Sequence, residues 1–205
     1  MPVPEPVHLE IERLTGEPLV IENADRLAEA FFSLDRSSQG ADSYDAYTQQ
    51  TPPNHIEEAD VDRINGLMRA RSEKEMWEGL LAEPHLDWLA ALDPGWDLLM
   101  PDEQWAETTE AVTSALIAIT GPYRNVSVST KILHLKRPAL IPVLDELVIQ
   151  NIGGKYYTGK FTQRRAARSL SHIEHLRGQA LASRDALIEI RSRLQWHGSS
   201  TGFCG

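Results

Sequence analysis

The sequence has little that would place it in an oxidising compartment or a membrane. Its only cysteine, Cys204, has no second cysteine with which to form an internal disulfide bond. No apolar run approaches the roughly 20 residues that a membrane-spanning helix needs. The first six residues, Met1-Pro-Val-Pro-Glu-Pro, lack the basic and apolar regions of a signal peptide. These features predict a protein of the reducing cytoplasm with no membrane partner.

The common catalytic motifs are also missing. The chain has no Gly-x-Ser-x-Gly nucleophile motif, no phosphate-binding loop and no dinucleotide-binding fingerprint. His172 and His175 have a spacing that can hold a metal ion, but no cysteine or carboxylate set completes such a site. We therefore interpret both as solvated surface histidines, and we expect neither a metal nor a cofactor.

The residue pattern predicts one all-α globular domain of about seven to nine helices. The hydrophobic share of 41% and the charged share of 24% are those of an ordinary globular protein. Apolar residues recur at helical spacing in several separate windows, and a length of 205 residues fits a single domain. The expected parts are an N-terminal arm or small β-hairpin (1–22), a helical domain (23–196) and a disordered tail (197–205).

Residues that favour helix ends predict several of the boundaries. Asn23 is expected to cap a helix whose inner face includes Leu27. Residues 72–75 have the Ser-x-x-Glu pattern of a capping box, which predicts another helix start. A long helix is expected to begin at Thr162 and to break at Gly178.

The charge is distributed unevenly along the chain. Residues 1–130 hold 8 Lys and Arg against 25 Asp and Glu, whereas residues 131–205 hold 12 against 5, within a formal net charge of −10. Either the two halves dock on each other, or a basic face meets a phosphate-bearing or acidic partner. An acidic protein is a poor nonspecific DNA binder overall, but screening limits charge effects to about 8 Å at physiological salt.

Residues 129–145 have the most distinctive pattern in the chain. Basic residues, which we take as candidate phosphate contacts, precede a proline-braced apolar run that ends at Asp145. We expect one helix to about Leu135 and a second from about Pro142. A carboxylate at the edge of a core must be hydrogen-bonded, paired or used, so Asp145 is expected either to cap the second helix or to face a cleft. The candidate contacts here are Lys131, Lys136 and Arg137.

Residues 155–168 form a second basic run, in which aromatic residues are interleaved. Three of its cations recur every four residues and would share one helix face, and either tyrosine could stack on a nucleic-acid base. The alternative is a solvated helix face whose positive charge balances the acidic half of the chain. The candidate contacts of this run are Lys155, Tyr156, Tyr157, Lys160, Arg164, Arg165 and Arg168.

The central motif supports a family resemblance. Thr130-Lys-Ile-Leu-His-Leu-Lys-Arg-Pro-Ala-Leu-Ile-Pro-Val-Leu-Asp145, together with Tyr44-Asp45 and the helix end at 65–71, resembles an uncharacterised family of bacterial helical proteins. The resemblance covers most of residues 25–195. It implies a helical fold and a bacterial protein, and it implies no activity.

A second resemblance concerns residues 142–148. The stretch Pro-Val-Leu-Asp-Glu-Leu-Val is similar to the Pro-Val-Asp-x-x-Val stretch of helix-hairpin-helix base-excision DNA glycosylases. The resemblance implies that Asp145 is catalytic, because the family's aspartate supports departure of a damaged base. Two features depart from the family: Leu144 intervenes before the aspartate, and residues 125–129 lack the Gly-x-Gly of the DNA-gripping hairpin. Lys131 is too close to Asp145 to match the nucleophile of the bifunctional enzymes.

Two functional hypotheses follow from these patterns. The first is a nucleic-acid-associated helical protein, distantly like those glycosylases, that contacts phosphates through residues 155–168. The second is a noncatalytic interaction or regulatory domain whose acidic N-terminal half meets a protein partner. Whether the protein is an enzyme at all stays open at this level.

Overall fold

The computed structural model describes residues 5–33, 51–68, 70–120, 124–155 and 161–199. Within these ranges the chain forms nine α-helices, one short 3₁₀ turn at Lys74–Met76 and a two-stranded hairpin, which confirms the predicted all-α fold. The elements are, in chain order, β1 (Leu9–Glu12), β2 (Pro18–Ile21), α1 (Ala24–Ser33), α2 (Glu58–Leu67), α3 (Glu78–Leu81), α4 (Asp87–Ala90), α5 (Asp102–Thr120), α6 (Val126–Lys136), α7 (Glu146–Asn151), α8 (Thr162–Ala182) and α9 (Arg184–Ser199). In the described part of the chain, no helix combines the length and apolar character needed to cross a bilayer.

The main core lies where α5 packs against α8 and α6, and α2 packs against α6. The long helix α5 supplies one wall, because Trp105, Val112 and Leu116 recur at helical spacing and are all buried. Burying one such side chain contributes about 1.5–3 kcal/mol. The fully buried residues that meet this wall from other elements include Ile64, Trp77, Leu89, Leu92, Ile132, Leu133, Leu140 and Ile173.

The predicted N-terminal hairpin is confirmed. Its strands pair antiparallel, with Leu9 opposite Ile21, and the turn includes Gly16 at φ +80°, a conformation that glycine adopts without strain. The backbone N–H of Leu14 donates to the carbonyl of Ile152 at 2.8 Å. The hairpin is therefore tied to the end of α7.

A second, smaller core joins the hairpin, α1 and α9. It is built on Val7, Ala24 and Ile190. The predicted inner position of Leu27 is wrong, because this side chain is 57% exposed and Ala24 and Ala28 carry the packed face of α1. Asn23 does precede the helix, but its φ of +54° is not the extended conformation typical of a capping residue.

The capping box predicted at residues 72–75 does not form. The Ser72 hydroxyl donates to Asn65 Oδ1 at 3.0 Å and accepts from Trp77 Nε1 at 3.1 Å, so it is already used. The segment becomes the 3₁₀ turn and the short α3 instead of one continuous helix. At α2, by contrast, the Asp60 carboxylate accepts from the backbone N–H of Glu57 at 2.8 Å and closes that helix start.

Three other predicted boundaries differ from the structure. The helix expected from Pro142 begins only after Asp145, because the N–H of Leu144 donates to Thr130 Oγ1 at 3.0 Å and not within a helix. Helix α8 continues through Gly178, since the roughly 1 kcal/mol cost of one glycine does not end a helix of 21 residues. Helix α9 runs to Ser199, three residues into the predicted tail, and residues 200–205 lie outside the described ranges.

Ion pairs connect the basic second half of the chain to the acidic first half, as the docking interpretation expects. Each places a cation of residues 131–205 within 2.5–2.7 Å of a carboxylate of residues 1–130. The pairs are Lys136 with Asp60, Arg177 with Asp102 and Arg193 with Asp25.

The Lys136–Asp60 pair lies entirely inside the protein. The two side chains have no solvent exposure, and Lys136 Nζ lies 2.7 Å from Asp60 Oδ2. The same ammonium donates to Thr51 Oγ1 at 2.7 Å and to the carbonyl of Pro52 at 3.1 Å, so all three of its protons have acceptors. Burial lowers the pKa of Lys136, and the hydrogen bond to Asp60 opposes that shift.

Arg137, the next residue, is also an internal connector. Its guanidinium donates to the carbonyls of Leu89 and Leu92 on and after α4. It also donates to the carbonyl of Pro53 at 3.0 Å and to Asn54 Oδ1 at 2.7 Å. The end of α6 thereby fixes both the segment before α2 and the region of α4.

We expect Asp60→Ala to lower the free energy of unfolding by about 3–5 kcal/mol, because it leaves the Lys136 ammonium buried without its counter-charge. Urea unfolding measures the loss. Asp62→Ala, which removes an exposed carboxylate from the same helix, is the matched control and should change stability by less than about 0.5 kcal/mol. The double variant Asp60→Leu/Lys136→Met should recover the part of the loss that comes from the unpaired charge, but not the acceptor that the N–H of Glu57 loses. Equal effects of the two single alanine changes would contradict this role for the pair.

Candidate functional site

The predicted contact residues divide into an interior set and a surface set. Four of the cations are buried: Lys131, Lys136, Arg137 and Arg165. Three are exposed: Lys155, Arg164 and Arg168. The remaining candidates, Tyr156, Tyr157 and Lys160, lie outside the described residues.

The interior cations hold the fold together. Besides the contacts of Lys136 and Arg137, Lys131 Nζ donates to the carbonyl of Met68 at 2.6 Å. Arg165 Nη1 donates to the carbonyl of Arg124 at 3.0 Å, which fixes the start of α8. Burial lowers the pKa of Lys131, and the Asp145 carboxylate opposes that shift. Because these groups face inward, we leave all four out of the candidate contact surface.

Two of the exposed cations, Arg164 and Arg168, lie on α8, and we name them, together with the exposed Lys155, the basic face. Arg164 and Arg168 are one helical turn apart. Gly154 lies against the next turn of the same helix, since a Cβ atom added to it would come within 2.8 Å of His172 Nε2. Only glycine allows this close approach, which brings Lys155 beside α8. The first turn of α8 contains no acidic residue.

An exposed aromatic residue adjoins the basic face. Phe161, immediately before α8, is 65% exposed. The Arg164 guanidinium carbon lies 5.2 Å from the centroid of its ring, within the range of a cation–π contact. Sequence reasoning missed Phe161 because an apolar residue at a helix start ordinarily packs inward; its signal was its position between two basic clusters.

Asp145 is a helix cap and also lines a cleft, so the structure combines the two alternatives left open by the sequence. Its Oδ1 accepts from the backbone N–H of Val148 at 2.8 Å, which closes the start of α7. At the neighbouring helix start, Asn125 Oδ1 accepts from the N–H of Val128 at 2.9 Å in the same way. The cleft has a volume of about 510 Å³ and is lined by Arg71, Asn125, Ser127, Asp145, Glu146 and Leu147.

The cleft offers few groups for chemistry. Arg71 is exposed and has a φ of +52°, an uncommon conformation for a residue with a side chain. The Asp145 oxygen that accepts the capping bond serves α7, and Glu146 Oε1 accepts from Gln150 Nε2 at 3.0 Å. The cleft thus presents one guanidinium and two carboxylates, and each carboxylate already accepts a hydrogen bond within α7. Sequence reasoning missed Arg71, whose only signal was its place at the end of the 65–71 helix motif.

The expectation that both histidines of α8 are solvated is wrong for His172. This residue is only 7% exposed because Gly154 packs onto its ring. Burial lowers its pKa, and the neighbouring Arg168 and His175 lower it further. His172 Nδ1 and His175 Nε2 are buried without a hydrogen-bond partner. Among the described residues, no three histidine, cysteine or acidic side chains gather as a metal site.

Residues 24–197 match the model of a family of unknown function, DUF6308. Since the match covers most of the sequence, the chain belongs to that family, and the expected membership in a family of unknown function is confirmed. No curated protein and no solved structure matches the chain. Family membership therefore assigns no activity.

We expect Asp145→Ala to lower the free energy of unfolding by about 1 kcal/mol, because the N–H of Val148 loses its acceptor at the start of α7. Thermal or urea unfolding measures the loss. Asp145→Asn keeps a capping oxygen and should stay within a few tenths of a kcal/mol of the native chain. Full stability of the alanine variant would contradict the capping role.

We expect His172 to make the protein less stable at mildly acidic pH. The folded chain holds the pKa of His172 below the ordinary value of about 6.5, so the unfolded chain binds more protons in this range. Its contribution to stability is complete above that ordinary value and is lost as the pH falls through it towards the folded pKa. Urea unfolding at pH 7.5 and pH 5.5 measures the loss.

His172→Gln should flatten this pH dependence, whereas His8→Gln, at an exposed histidine, should leave it as in the native chain. An identical pH dependence in the His172 variant would show that other groups cause it.

Proposed function

We propose that the protein binds nucleic acid through the basic face. The observation that carries the proposal is a pair of exposed cations, Arg164 and Arg168, one turn apart on α8, with the exposed Lys155 next to the glycine that packs against the same helix. Exposed Lys and Arg side chains contact phosphate oxygens without reading the base sequence. The proposal therefore concerns backbone binding.

The roles of five other cations of the second half narrow this choice, and the exposed Arg184 and Arg191 lie on a different helix, α9. Lys136, Arg177 and Arg193 pair with carboxylates of the first half of the chain. Lys131 and Arg165 are buried and donate to backbone carbonyls. Burial and ion pairing thus account for these five residues, whereas the side chains of Lys155 and Arg164 extend into solvent.

The net charge of −10 sets the expected strength of binding. At long range the field of the whole molecule opposes the approach of a polyanion. Within the screening length of about 8 Å at physiological salt, the local cations dominate. Binding should therefore be weak, nonspecific and steeply dependent on salt.

This proposal does not need a catalytic role for Asp145. The resemblance to glycosylases would give its carboxylate the task of stabilising positive charge on a sugar. One of its oxygens already accepts the capping bond of α7. Loss of activity on a damaged base in Asp145→Asn, with stability retained, would be the observation in favour of that further role.

A noncatalytic protein-interaction domain is the second candidate, and the surface around the smaller core favours it. Val20 on β2, Leu27 on α1 and Ile188 on α9 are each more than half exposed. Exposed apolar side chains that recur on neighbouring elements are typical of protein contacts. Under this alternative, the basic face should bind neither single-stranded nor duplex DNA at low salt.

We expect Arg164→Ala/Arg168→Ala to reduce the salt dependence of DNA binding. Each phosphate contact removed lowers the slope of log Kobs against log salt concentration by about one, so the double variant should lose about two. Fluorescence anisotropy with labelled single-stranded and duplex DNA across a salt series measures the slope.

The matched control is Arg184→Ala/Arg191→Ala, which removes two exposed arginines from α9 and changes the net charge equally. Its slope should stay that of the native chain. Equal slopes in the two double variants would contradict the basic face, and failure of the native chain to bind DNA at low salt would refute the proposed function.

A further inference from the structure

We infer that the nucleic acid bound at the basic face is single-stranded, with one base stacked on Phe161 beside Arg164. The inference rests on the proposed function and names the class of nucleic acid. Single-strand binding sites combine cations that follow the phosphates with aromatic rings that stack on bases. Phe161 and the basic face bring both features to the start of α8.

The exposure of Phe161 is the first observation. Burying a phenylalanine side chain is worth about 1.5–3 kcal/mol, so most phenylalanines are covered in a folded protein. Phe161 leaves 65% of its surface in solvent, and among the large apolar side chains of the described ranges only Leu147 is more exposed. An exposed aromatic ring beside cations is a surface on which a base can stack.

The backbone beneath Phe161 is fixed. Its carbonyl accepts from the N–H of Arg165 at 3.1 Å, the first bond of α8. Arg165 is buried, and its guanidinium donates to the carbonyl of Arg124, just before α6. The ring therefore projects from an anchored helix start, which lowers the entropy cost of stacking.

Arg164 gives the ring a cationic neighbour. Its guanidinium carbon lies 5.2 Å from the ring centroid, and its side chain is exposed. A guanidinium plane can itself stack on a base, and its charge can meet the adjoining phosphate. Arg168, one turn further along α8, is also exposed and adds a second positive charge beyond Arg164.

The same geometry favours a single strand over a duplex. In a duplex, neighbouring base pairs already cover both faces of each base, so a protein ring gains contact only where bases are unstacked. A phenylalanine ring has no hydrogen-bonding group with which to read a base edge. Phe161 and Arg164 are therefore suited to bind a single strand of any sequence.

We expect Phe161→Ala to weaken single-strand binding on the order of 5- to 100-fold at fixed low salt. Anisotropy with a labelled 20-nucleotide strand of mixed sequence and with its duplex measures both affinities. The salt slope should not change, because phenylalanine carries no charge. Phe161→Trp should bind the strand at least as tightly as the native chain, since the larger ring also stacks.

Leu187→Ala is the control, because it removes an exposed apolar side chain from α9, outside the basic face and the cleft, and should leave the affinity unchanged. Tighter binding of the duplex than of the strand, or an unaltered affinity in Phe161→Ala, would overturn this inference. Either result leaves the proposed function standing if the salt slope still depends on Arg164 and Arg168. Absence of binding to both probes would overturn the two together.

Discussion

The interior of this protein depends on two adjacent cations, Lys136 and Arg137, at the end of α6. Lys136 donates to the Asp60 carboxylate and to a carbonyl of the segment before α2. Arg137 donates to carbonyls of that same segment and of α4. A buried donor without an acceptor costs about 1–3 kcal/mol, so these segments are stable only in one another's presence. Charged groups in the core thereby hold the segment before α2 and the region of α4 against the end of α6.

Much of the fold follows from local patterns, whereas the contacts that join distant segments do not. Helical spacing predicted α5 and α8, and the carboxylate after the apolar run predicted the cap at Asp145. Nothing near Lys136 in the sequence shows that Asp60 will face it. His172 looked solvated because the glycine that covers it, Gly154, lies outside its own helix. Such pairings depend on how helices pack, and one sequence does not encode them as a pattern.

The sequence likewise predicted only part of the candidate site. Arg164 and Arg168 are exposed as their spacing predicted, while Lys131 and Arg165, in equally basic surroundings, face the interior. A cluster of cations in sequence thus divides between holding the fold and facing solvent. Burial determines which role a cation has, because a buried cation that donates to a backbone carbonyl is not available to bind a phosphate.

The small core of Val7, Ala24 and Ile190 is separate from the main core, and the family match begins only at residue 24. Arg193 adds to this region by donating to the carbonyl of Glu5 at 2.8 Å and by pairing with Asp25. The hairpin, α1 and α9 therefore form a unit with fewer buried groups than the helices around α5. Such a unit opens at a lower free energy than the whole molecule. The protein can therefore open at this end while the buried middle of α5 and of α8 keeps its helical hydrogen bonds.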